Sequence, residues 1–87
     1  MQVKRREPSD GPIAWAKASR EGGRKLRVGH GRSGLMYRVK QAREWVVVVI
    51  ASRGREFVVG SARLQDHALA LAGMWEQAVL SGRIDLN

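Results

Sequence analysis

The chain has 87 residues, no cysteine, and sixteen Lys plus Arg against eight Asp plus Glu, for a net charge of +8 with both histidines neutral. That length allows one domain with a modest core and leaves little room for a deep catalytic cavity, so a binding surface is expected before an active site. The absence of cysteine excludes disulfide staples and thiolate metal sites, and the basic balance points to a polyanionic partner.

The charge is uneven. Residues 1–34 hold nine basic and three acidic side chains, and the rest of the chain holds seven and five. The longest apolar run, Trp45 to Ala51, is far too short to span a bilayer, and no charged-then-apolar leader opens the chain. No membrane association is expected, and a cytoplasmic location fits the lack of cysteine.

In chain order, residues 1–10 are charged and aperiodic and read as a basic tail carrying Lys4, Arg5 and Arg6. Pro12 suits the first position of a short helix, capped by Asp10 or Gly11 and ending at Gly22-Gly23, over residues 12–21. Arg24 to Val28 alternates charged and apolar residues as an extra edge strand would. Gly29, Gly31 and Gly34 then read as a flexible basic connection. Residues 1–34 are therefore expected to form a basic arm, and residues 35–87 a compact domain.

Leu35 to Gln41 puts Leu35, Tyr37 and Val39 on one face and Met36, Arg38 and Lys40 on the other, the period-two pattern of a half-buried strand. Glu44 to Ser52 is β-branched and apolar on both faces, as a central strand is. Ser52-Arg53-Gly54-Arg55 has turn chemistry, and Glu56 to Gly60 returns as a third strand. Ser61 is placed to cap a long helix in which Leu64, Ala68, Leu71, Ala72, Trp75, Ala78 and Val79 form one apolar stripe, with Gly82 as its left-handed terminator. The expected fold is α+β: a three-stranded antiparallel meander packed on one C-terminal helix, preceded by a basic arm with a short helix or an extra edge strand.

No catalytic constellation stands out. His30 and His67 are separated by the whole sheet, and Glu44, Glu56, Asp66, Glu76 and Asp85 are dispersed without paired spacing. Neither a metal nor another cofactor is expected. Gly29-His30-Gly31-Arg32-Ser33-Gly34 lacks the Lys-Ser/Thr ending of a nucleotide-binding loop. Arg38, Lys40, Arg43, Arg53 and Arg55 lie on or beside the meander near Trp45. They suit backbone and base-edge contacts, or serve as charges that keep strand edges from aggregating.

Tyr37-Arg38-Val39-Lys40-Gln41, Glu44-Trp45-Val46-Val47, Glu56-Phe57-Val58-Val59-Gly60-Ser61, and Ala68 with Ala72, resemble the Apetala/ethylene-response-factor domain and the related arm-binding domain of phage integrases. The resemblance spans Leu35 to Gly82 at most. It implies a phage or mobile-element protein that binds duplex DNA through the outer face of the sheet, with Arg38, Lys40 and Trp45 in contact, Arg53 and Arg55 flanking the groove, and Gly60 at the strand-to-helix corner. The sequence departs from that pattern where Val47 and Val49 extend the Trp45 face, a surface expected to be covered by Ile13 and Trp15 or by a second subunit.

Leu26-Arg27-Val28, Tyr37-Arg38-Val39 and Val46 to Ile50 are also similar to strands of RelE-type toxins, which cut messenger RNA on the ribosome. That resemblance implies catalysis by Arg53 or Arg55. A third reading is a protein-interaction inhibitor or homodimer formed through the apolar sheet face. The leading expectation is a non-enzymatic nucleic-acid-binding protein, DNA before RNA. Lys4, Arg5, Arg6, Arg24, Lys25 and Arg27 would supply phosphate contacts, and Arg38, Lys40, Trp45, Arg53 and Arg55 would add contacts from the sheet.

Overall fold

The computed structural model describes residues 11–85. They form six strands and one helix: β1 (Ile13–Trp15), β2 (Ser19–Glu21), β3 (Arg24–Gly31), β4 (Met36–Gln41), β5 (Trp45–Ile50), β6 (Glu56–Ala62) and α1 (Gln65–Leu80). Every pairing is antiparallel. β3, β4, β5 and β6 follow one another across the sheet, while β1 and β2 both pair with the outer side of β3.

The fold is thus α+β with a single C-terminal helix, but the three-stranded meander is corrected to a six-stranded sheet. No helix forms over residues 12–21: Ile13 pairs with Gly31, Trp15 with Gly29, and Ser19 with Leu26. Arg24 to Gly31 is a strand flanked on both sides, neither an edge nor a connector, and the expected boundary between residues 34 and 35 falls in the β3–β4 turn of one sheet. The tail residues Lys4, Arg5 and Arg6 lie outside the described residues.

The difference has a local cause. Glycine commonly interrupts a strand, whereas Gly29 and Gly31 sit inside β3 because other groups need the space of a Cβ. At Gly29 a Cβ would meet the Trp15 ring at 2.6 Å, so glycine lets Ile13 and Trp15 lie across β3 and close the core. The actual β2–β3 turn is Gly22-Gly23, with φ of 61° and 80°, the two left-handed residues of a tight hairpin whose twist matches its strands.

Cross-strand register sorts the sheet into two faces. Ile13, Trp15, Tyr37, Val39, Trp45, Val47 and Val49 face the helix, and Tyr37, Val39, Val47, Val49, Ala68 and Ala72 are completely buried between the layers. The β-branched run of β5 supplies both faces at once. Between Val47 and Val48 the pairing with β6 slips by one residue, a bulge that leaves Val59 packed against the core and Val58 on the open side, 71 % exposed.

Ser61 is not the helix cap. It ends up within β6, donating its hydroxyl to Glu44 Oε1 at 2.9 Å, and the helix starts after Leu64 without side-chain capping. Leu64 accordingly leaves the apolar stripe and is 57 % exposed. Gly82 does terminate the helix with φ 82°, Arg83 N donating to Ala78 O and Gly82 N to Val79 O, the paired bonds of a Schellman ending. Among the described residues no helix is long and apolar enough to cross a membrane.

Candidate nucleic-acid interface

The face of the sheet away from the helix is open, and its side chains form a lattice of rows. One row is Ser19, Leu26, Lys40, Val46 and Ser61; the next is Val28, Arg38, Val48 and Val58; the third is Ala14, His30, Met36, Ile50 and Glu56. The floor is aliphatic, with Val48 at its centre only 5 % exposed beneath its neighbours. His30, read as a loop residue, stands exposed on this face within β3.

One corner of the face concentrates charge. The β2–β3 hairpin and the β4–β5 turn lie side by side because Leu26 pairs with Lys40, and Lys25 N donates to Gln41 Oε1 at 3.3 Å. Arg24 and Lys40 emerge on the open face, Lys25 on the reverse, and Arg43 from the turn itself. A depression of about 380 Å³, lined by Arg24, Lys25, Lys40, Leu26, Val46 and Val58 among others, adjoins a second one formed by Arg24, Gln41, Ala42 and Arg43. Glu21, paired with Arg24 across the hairpin, and Glu56 at the β6 side are the acidic residues lining the first depression. Four cations from two distant stretches of chain therefore share one edge, an arrangement suited to consecutive phosphates.

The other expected contacts separate. Arg38 is in the middle of the open face, between Val28 and Val48. Arg27 points to the helix side, half-buried, its Nη2 donating to Ala16 O at 3.3 Å. Trp45 packs against the core on the covered side, because residues two apart on a strand share a face and Val47 and Val49 are buried. Arg53 and Arg55 occupy the β5–β6 turn at the opposite end of the sheet, where Arg53 adopts φ 68° and Arg55 lies 5.6 Å from the Phe57 ring centre. Gly60 is inside β6, with Leu71 against it.

All five aromatic residues, Trp15, Tyr37, Trp45, Phe57 and Trp75, belong to the helix side of the sheet or to the helix itself. The open face carries no Phe, Tyr or Trp, and its ring is the His30 imidazole in β3.

The polar group that sequence reasoning missed is Glu76. Among scattered carboxylates it looked unremarkable, yet it is fully buried and in line with Ala68 and Ala72 on the helix face that meets the sheet. Its Oε1 accepts from Tyr37 Oη at 2.6 Å and Ser33 Oγ at 2.8 Å, and its Oε2 accepts from Ser33 N at 2.7 Å. Burial, the hydrogen bond to Glu76 and the charge of Glu76 together push the Tyr37 hydroxyl far above its ordinary value. The only signal in the sequence was the four-residue spacing from Ala68 through Ala72 to Glu76. Tyr37 and Glu76 are buried and Ser33 forms the exposed rim of the cluster, which ties the β3–β4 turn to the helix, a structural task.

Comparison with protein-family models, with curated proteins and with solved structures yields no match.

Proposed function

We propose that the chain is a small nucleic-acid-binding protein that grips the backbone of duplex DNA with the corner formed by Arg24, Lys25, Lys40 and Arg43. The supporting observation is the convergence of those four cations from β3, β4 and the β4–β5 turn on one edge. Phosphate contacts of this kind carry affinity without sequence information. Duplex is favoured over single strands because the open face carries no Phe, Tyr or Trp, the usual platforms for unpaired bases, and its His30 lies at the end of the sheet away from the basic corner. A whole sheet, five strands across at about 4.8 Å per step, is wider than a major groove of about 12 Å, so the corner and not the full face fits the backbone.

The test is a fluorescence-anisotropy titration of the full chain against random duplex DNA, single-stranded DNA and structured RNA at two salt concentrations. Duplex binding is expected to be tightest and to weaken steeply with salt, and Lys40→Gln should lower the salt slope by about 1. Absence of binding to all three probes at low salt would refute the proposal.

A further inference from the structure

A second feature of the open face shares Lys40, Val46 and Val58 with the basic corner but extends beyond it across the sheet. Three columns of the open face stand side by side: Met36, Arg38 and Lys40 on β4; Val46, Val48 and Ile50 on β5; Glu56, Val58 and Ser61 on β6. The central column is purely aliphatic. The column on one side carries two cations, and the column on the other carries one carboxylate and no cation. Val58 on this face is 71 % exposed.

We infer that this face is the interface of a homodimer, with a second copy stacked on it about a two-fold axis running along β5. Rotation about that axis lays β5 on its own counterpart, valine against valine, and lays β4 of each copy over β6 of the other. Arg38 then covers the partner's Val58 and lies one pleat repeat, about 6.8 Å along the strand, from the partner's Glu56, within reach of an arginine side chain. An interface with two-fold symmetry must be complementary to itself. A face bearing cations on both flanks would repel its copy, whereas here opposite characters flank an uncharged centre at equal distance. Sheets packed this way lie about 10 Å apart with strands nearly aligned, so the aliphatic column becomes a closed core.

The third and outermost columns settle what stays free. β3 and β2 overhang the partner's β6, so Arg24, Lys25 and Arg43 remain outside the contact. Lys40 falls inside the contact, above Ser61 of the other copy, so the dimer presents two basic corners of three cations each, and the dimer reading does not rest on nucleic-acid binding. Three strands of six or seven residues cover a patch of roughly 14 by 20 Å, smaller than the interfaces of stable complexes, so the association is a weak and transient one that appears only at high concentration.

The experiment is sedimentation equilibrium of the full chain, free of nucleic acid, from low to several hundred micromolar. The mass should double across that range. Val58→Lys alters a side chain exposed in the monomer, so circular dichroism should be unchanged while the doubling disappears. Arg38→Glu and Glu56→Arg should each weaken dimerisation about tenfold or more, and the double variant should recover most of the loss. A wild-type chain that stays monomeric throughout, or a dimer indifferent to Val58→Lys, overturns the inference. So does protection of the Val46–Ile50 amides from exchange only when duplex DNA is added, which would give the face to nucleic acid.

Discussion

The Glu76 carboxylate lies directly over the Cα of Gly31, where a methyl group would overlap it. This contact explains two sequence features at once. Gly31 clears a place in β3 for the carboxylate, and Ala68 and Ala72, on the same helical row, let α1 approach the sheet closely enough for Glu76 to reach it. Ser33 in the β3–β4 turn and Tyr37 in β4 then complete the acceptor's bonds.

Gly31→Ala is expected to destabilise the fold by about 2 kcal/mol, because the held carboxylate cannot retreat without losing hydrogen bonds. Urea denaturation of the wild type and variant measures the difference. A midpoint within error of the wild type would show that the helix shifts freely over β3.

Tyr37→Phe and Glu76→Ala act on the same buried bond. Glu76→Ala leaves the tyrosine hydroxyl and the Ser33 amide without partners, and it should cost roughly 3 kcal/mol against about 2 kcal/mol for Tyr37→Phe. The double variant should lose less than the sum, since each single change already abolishes the shared interaction. Additive losses in a double-mutant cycle would mean the two groups act separately.

Tyr37 also makes the fold sensitive to alkali. Its hydroxyl ionises near its ordinary value of 10.0 when unfolded and is held protonated to higher pH when folded. Its contribution is fully present below the unfolded value and is lost as pH rises above it, because the unfolded state then binds fewer protons. The loss reaches about 1.4 kcal/mol per pH unit. As the only tyrosine, it can be isolated by comparing wild-type and Tyr37→Phe stability above pH 10, where the wild-type slope should be the steeper. Parallel curves would contradict the burial of the hydroxyl.

Arg53 adopts a left-handed conformation, φ 68° and ψ 17°, beside Gly54 at φ 73°. Arg53→Gly removes the Cβ penalty and is expected to raise stability by about 0.5–1 kcal/mol. A thermal melt reads the change. If duplex binding is also unaltered, Arg53 has no part in the interface.

Much of this architecture was legible in the residues. The alternation around Tyr37 and Val39, the valine run of β5, the turn at Arg53-Gly54 and the Gly82 terminator all act through neighbours in sequence, so their patterns carry over directly to strands, turn and cap. The first thirty-four residues were not legible in the same way. Ile13 and Trp15 resemble one side of a short amphipathic helix until β3 is present to pair with them, and the glycines of β3 resemble a linker until Ile13, Trp15 and Glu76 fill the space above them. The candidate contacts divided similarly: Arg24, Lys25 and Lys40 came together, whereas Trp45 went to the core and Arg27 to the covered side, since strand parity assigns each residue a face only once the layer beneath is known.

Composition, periodicity and turn chemistry by themselves determined a small basic α+β domain with a central valine-rich strand and a terminal helix, because those properties depend on local geometry and on the solvent preference of each side chain. The tertiary structure alone decided that the sheet has six strands, that the aromatic residues belong to one side of it, that Glu76 is buried, and that four cations meet at a corner. Those outcomes depend on pairing and packing between segments far apart in the chain, where a side chain's environment is set by what folds against it rather than by its neighbours in sequence.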